Sequence, residues 1–117
     1  MTQATVPHPL PDPLVDVIAQ RFRVLAEPMR IKLLDRLRAG GATVGELTQD
    51  LVTSQQNVSK HLGVLRQAGI VARRRIDSQV RYVVIDDAVF ELCEHVCGGL
   101  RNQLEQFDLL IERGVSR

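Results

Sequence analysis

TSQQNVSKHLGVLRQAGIV, Thr53 to Val71, begins with two hydroxyl residues. A hydroxyl oxygen can accept a bond from an orphan N–H, which suits a helix N-cap. Val58, Leu62 and Leu65 follow at i, i+4 and i+7, the spacing of one buried helical stripe. Gln55, Gln56, Asn57, Ser59, Lys60 and His61 fill the positions between and before them. Ala68-Gly69 ends the helix, because glycine tolerates the left-handed conformation at C′. The result is a short helix with a dry back and a front of amides, hydroxyls and a cation. Such groups hydrogen-bond base edges and phosphates, so the stretch predicts a DNA recognition helix.

The flanks agree. Before it, Thr43-Val44-Gly45-Glu46 fits a capping box, and a short helix runs to about Leu51 with Leu47 and Leu51 inward. Two short helices across the Val52-Thr53 turn make a helix-turn-helix. After it, the period changes from helical to alternating. Ile70 to Ile76 and Gln79 to Ile85 flank a polar turn at Asp77-Ser78, which predicts a β-hairpin with a basic tip. A basic hairpin directly after a recognition helix is a wing. Further out, Leu14 to Ala26 carries Leu14, Val17, Ile18, Phe22 and Leu25 on one stripe, started by Asp12 as N-cap and Pro13 at the first helical position. Met29 to Arg38 repeats the pattern with Ile31, Leu33, Leu34 and Leu37, and its cations form a solvated face. Asp86 or Asp87 caps a last helix from Ala88 to about Ile111, with more apolar surface than a small monomer hides. The predicted fold is mainly α with a small hairpin, a winged helix-turn-helix of order α-α-α-α-β-β-α, dimeric. Residues 1–13, with four prolines, form a flexible arm, and 14–112 form the DNA-binding and dimerisation domain.

At 117 residues one domain is the natural expectation, and 44% hydrophobic residues suffice for a core. Aromatics at 3% leave that core to Leu, Val, Ile and Ala. The net charge of +1 hides an asymmetry. Between Ser54 and Arg81 six basic residues face Asp77 alone, which makes that segment +5 and the remainder −4. A local basic face binds phosphates without a high overall charge. Cys93 and Cys97 are no disulfide framework. With no signal peptide and no apolar run of about 20 residues, the chain is expected to be soluble and cytoplasmic, with no membrane partner. No glycine-rich phosphate loop, Ser/His/Asp set or paired catalytic carboxylates can be picked out, so no enzyme is expected.

Several blocks resemble the ArsR/SmtB family of bacterial winged-helix repressors. Leu25-Ala26-Glu27-Pro28-Met29-Arg30-Ile31-Lys32-Leu33-Leu34 is similar to the family's LADPTRLRIL opening. Ser54 to Leu62 and Leu65 to Val71 resemble its S-x-x-x-V-S-x-H-L-x-x-L-R-x-A-G-L-V core, and Arg81-Tyr82 its second wing strand. The match spans roughly residues 20 to 100. It implies a homodimer built mainly from the first and last helices. It also implies repression at an inverted-repeat operator of double-stranded DNA, relieved by an effector.

The expected DNA contacts are Ser54, Gln55, Gln56, Asn57, Ser59, Lys60 and His61 on the helix, and Arg73, Arg74, Arg75 and Arg81 on the wing. The amides suit adenine edges, and the arginines suit phosphates or the minor groove. For His61 a phosphate contact and a structural imidazole packed against the turn are both open. For the wing arginines the plain alternative is a strand edge kept soluble by charge. The family's metalloid site has cysteines where Thr43 and Gly45 stand, and its zinc site has ligands where Asp86-Asp87-Ala88, Gly99 and Asn102 stand. Both are therefore expected to be absent. Cys93 and Cys97, at i and i+4, share a helix face, while His95 lies about 200° around from Cys93. Two soft ligands per chain are too few for a closed metal site. A dimer axis could gather four thiols, or His8 could add a ligand. The pair is either small apolar packing in the dimer interface or a sensor of soft metal, metalloid or thiol-reactive species; no cofactor is otherwise implied.

Overall fold

The computed structural model describes residues 5–115. In chain order they form α1 (Asp12–Leu25), α2 (Pro28–Leu37), α3 (Val44–Asp50), α4 (Gln55–Gln67), β1 (Val71–Ile76), β2 (Gln79–Val84) and α5 (Ala88–Val115). This is the expected order. The first four residues of the proline-rich arm lie outside the described residues. The chain divides into two compact units, one ending at Ile85 and one beginning at Asp86.

In the first unit, leucines at helical spacing bury one face of each short helix. Leu33, Leu34 and Leu37 of α2, Leu47 of α3, and Val58, Leu62 and Leu65 of α4 are all buried, joined by Ala42, Ile70 and Val71. Each fully buried branched side chain contributes about 1.5–3 kcal/mol, so this cluster fixes how α4 is held. Leu51, expected inward with Leu47, is only half-buried, because it is already the C-cap residue of α3. The α1 stripe is covered at one end only. Val24 and Leu25 at its C-terminal end are buried, but Val17 and Phe22 are exposed, Phe22 by 53%, and Ile31 of α2 is exposed too. The start of α1 also differs. Pro11, not Asp12, is the N-cap residue, and its carbonyl accepts from Leu14 N and Val15 N, both at 3.0 Å.

The caps of the two central helices are those expected. Thr43 Oγ1 accepts from Glu46 N at 3.1 Å while Glu46 Oε1 accepts from Thr43 N at 2.9 Å, the full capping box. Ser54 Oγ accepts from Asn57 N at 3.1 Å at the head of α4. Both helices end in the same Schellman pair of bonds. For α4 these are Ile70 N to Leu65 O and Gly69 N to Arg66 O, with Gly69 at φ +77°. For α3 they are Thr53 N to Thr48 O and Val52 N to Gln49 O. The left-handed position here is Val52, at φ +51°. An L side chain in that region costs roughly 1–2 kcal/mol.

β1 and β2 pair antiparallel from Val71↔Val84 to Ile76↔Gln79. Asp77 and Ser78 both have positive φ, as a two-residue turn of type I′ requires. β2 is tied back on its other edge, where Ala42 and Tyr82 exchange backbone bonds of 3.1 and 2.8 Å. Gly41 sits against that edge, and a Cβ there would lie 2.8 Å from Val83 Cγ1.

The second unit is α5. Asp86 Oδ1 accepts from Ala88 N at 3.2 Å, the expected cap, and the helix runs to Val115 instead of ending near Ile111. Cys93, Cys97, Leu100, Leu104, Phe107 and Ile111 alternate in steps of four and three along it. From Cys97 onward this seam is exposed, Leu104 by 64%. No helix among the described residues is long and apolar enough to cross a membrane.

Candidate nucleic-acid interface

The buried stripe of α4 fixes what its other face presents. Ser54, Gln55, Gln56, Ser59 and Lys60 are exposed. The first turn thus offers two amides within reach of the helix N-terminus, where the macrodipole favours anions. Asn57 is half-buried, and its Nδ2 donates to Thr53 Oγ1 at 3.0 Å. Its amide therefore braces the turn through one of its two N–H donors.

Arg73, Arg74 and Arg75 are exposed on β1. With Val80 and Arg66, from the last turn of α4, they line an open cleft of about 310 Å³. The exposed arginines of this segment make its surface favourable to an anion. Arg66 was counted in the basic segment of the sequence but not among the contacts. The signal that could have found it is its position one turn before the wing, on the exposed side of α4.

Two expected contacts are occupied elsewhere. Arg81, the cross-strand partner of Arg74, donates through Nη1 to Glu46 Oε1 at 3.0 Å and to Gly41 O at 3.2 Å, and through Nη2 to Gln79 Oε1 at 3.1 Å. Arg81 thus fastens the wing to the head of α3. Glu46 Oε1 receives both Thr43 N and Arg81. The Thr43 N–H bond, with the Arg81 charge behind it, outweighs burial and holds this carboxyl below the usual range.

His61 is only 6% exposed. Its Nδ1 lies 3.0 Å from Arg30 Nη1. Arginine only donates, so Nδ1 accepts and the ring proton sits on Nε2. Arg30 Nε also donates to Val24 O at 2.6 Å, and Glu27 Oε2 accepts from Arg30 N at 3.0 Å. Arg30 thus ties the end of α1, the head of α2 and the back of α4 together. Of the two roles open for His61, the geometry carries the structural one. For Glu27, burial raises the carboxyl, but the Arg30 and Met29 N–H bonds and the Arg30 charge hold it net below the usual value.

The comparisons with known proteins bear on this architecture. A helix-turn-helix domain model matches residues 25–74. The HTH-type transcriptional regulator Rv0081 of Mycobacterium tuberculosis is 39% identical over 82 residues, 69% of this chain and 72% of that one. Its crystal structure superposes with a TM-score of 0.73 at 35% identity, over 82% of this chain and 97% of that chain. The biofilm growth-associated repressor of Agrobacterium fabrum is 37% identical over 89 residues, 76% of each chain. The HTH-type transcriptional repressor SmtB of M. tuberculosis is 37% identical over 82 residues, 70% of this chain and 61% of that one. The chain belongs to the ArsR/SmtB family of winged-helix transcriptional repressors.

In this ArsR/SmtB protein the two positions of the metalloid motif do other work. Thr43 caps α3, and Gly45 is an exposed residue in its first turn. Cys93 is half-buried and Cys97 exposed, both as free thiols. No cluster of three or more His, Cys, Asp or Glu side chains able to hold a metal occurs among the described residues.

Proposed function

We propose that this DNA-binding repressor acts in the cytoplasm as a homodimer, has no catalytic activity, and reads an inverted-repeat operator with one α4 per half-site. Gln55, Gln56, Ser59 and Lys60 meet base edges and adjacent phosphates. Ser54 and Asn57 set the helix head, and Arg66, Arg73, Arg74 and Arg75 grip the flanking backbone. His61 and Arg81 act as positioning residues beneath this surface. The observation that supports the reading most directly is the exposed polar front of α4 followed by the exposed arginines of β1.

The exposed apolar residues of α1 and the four-three seam of α5 support the dimer, since a second copy can cover both. Cys93 and Cys97 fall on that seam, where a thiol packs as a small apolar side chain. The same position would couple a soft metal, a metalloid or a thiol-reactive agent to dimerisation. Operator release by such an agent that disappears in Cys93→Ser/Cys97→Ser is the signature of that coupling. Release that persists leaves the thiols as packing residues.

The test is fluorescence anisotropy on duplexes selected by the protein from a random pool, at several salt concentrations, with the stoichiometry measured by sedimentation. Two chains per duplex, affinity steeply dependent on salt and at least 10³-fold over scrambled DNA are expected. Equal, weak binding to all sequences would instead mark a winged helix that serves protein contacts.

A further inference from the structure

Val52 is the most anomalous residue of the helix-turn-helix. It occupies the left-handed C′ position of α3, where a β-branched side chain is strained and glycine is not. The same chain uses Gly69 at the matching position of α4, with the same two closing bonds. At 89% exposed, Val52 is also the most open of the large apolar side chains among the described residues. The valine therefore gains neither backbone ease nor burial within the chain. It stands two residues before Ser54, the N-cap of α4, so its isopropyl group projects from the turn that delivers the helix head.

We infer that Val52 is an apolar DNA contact, its side chain packing on the 5-methyl group of a thymine at the edge of the half-site read by α4. The major groove displays that methyl at A·T pairs, and an aliphatic side chain is the complement that recognises it. A strained, exposed apolar residue is explained if its burial is completed only in the complex. The inference rests on α4 being the reading helix.

Three variants on a selected high-affinity duplex test it. Val52→Gly relieves the backbone and should raise the thermal midpoint while weakening the duplex. Val52→Thr keeps the branched shape and the strain but replaces one methyl by a hydroxyl, and should weaken it without that rise. Replacing single thymines by deoxyuridine removes the methyl alone. One such position per half-site should cost the wild type roughly fourfold, the burial of one methyl, and cost Val52→Gly nothing. Unchanged affinity in both variants, or a deoxyuridine profile identical in wild type and Val52→Gly, would overturn the contact. Gln56→Ala and Lys60→Ala on the same duplex separate the failures. If they lose affinity while the Val52 variants do not, only the methyl contact is wrong. If they too bind as the wild type does, the reading of α4 has failed.

Discussion

His61 and Arg81 carry polar groups that suit phosphate contact, and both spend them inside the protein. His61→Ala would leave the Arg30 guanidinium without its buried acceptor and open a small void beneath α4. The expected loss is about 1–3 kcal/mol of stability, seen as a lower urea midpoint. The salt dependence of DNA binding should not change, because no phosphate contact is lost. A salt slope lower by about one, with stability intact, would make His61 a phosphate ligand after all. The spacing of Val58, Leu62 and Leu65 was enough to show which side of α4 is dry. It was not enough for His61, whose partner Arg30 comes from another helix some thirty residues earlier. Residue type decides what a side chain can bond, and only the tertiary approach decides what it does bond.

At the scale of elements, the caps and the hairpin turn were legible because they are local. Thr43 with Glu46, Ser54 with Asn57, and the Asp77-Ser78 turn each involve residues no more than three apart. The division of labour within the wing was not, because it depends on strand register. Pairing Arg74 with Arg81 and tying Tyr82 to Ala42 brings Arg81 to Glu46, while Arg73 and Arg75 line the cleft with Arg66. Three otherwise similar arginine substitutions should therefore part company. Arg66→Ala and Arg73→Ala should each weaken specific and non-specific DNA alike and lower the salt slope by roughly one. Arg81→Ala should leave that slope unchanged and loosen the wing, measured as faster amide exchange in β2. Equal salt slopes for all three variants would contradict the assignment. The α1 stripe was legible as apolar but not as to what covers it: an apolar face read from its period says that something does, and in the single chain Val17 and Phe22 remain open.

For the whole molecule, the exposed seam of α5 is the clearest sign that one chain is half of the working unit. Leu100→Asp/Leu104→Asp should yield a monomer by sedimentation, with affinity for a two-half-site duplex reduced to that for a single half-site. A dimer surviving that change would move the interface elsewhere. Acid should act on the first unit. Glu27 and Glu46 are both held below the ordinary glutamate value, so the unfolded state takes up their protons first. Their stabilisation is complete above that value, about 4.3, and is lost as pH falls through the lowered ones. The urea midpoint should accordingly hold from neutrality down to mild acid and fall below it, less steeply in Glu46→Gln. A midpoint that rises on acidification would reverse the sign and remove both carboxylates from the account.

The central claim is that the exposed amides at the head of α4 read bases. The most direct measurement is the affinity of wild type and Gln56→Ala for a selected duplex and for every single base-pair change within one half-site. A specific contact worth about 1–3 kcal/mol predicts that Gln56→Ala binds the selected duplex some five- to 150-fold more weakly. It also predicts that the variant loses discrimination at one base pair while keeping it at the others. Wild-type affinity with an unaltered discrimination profile would contradict the claim.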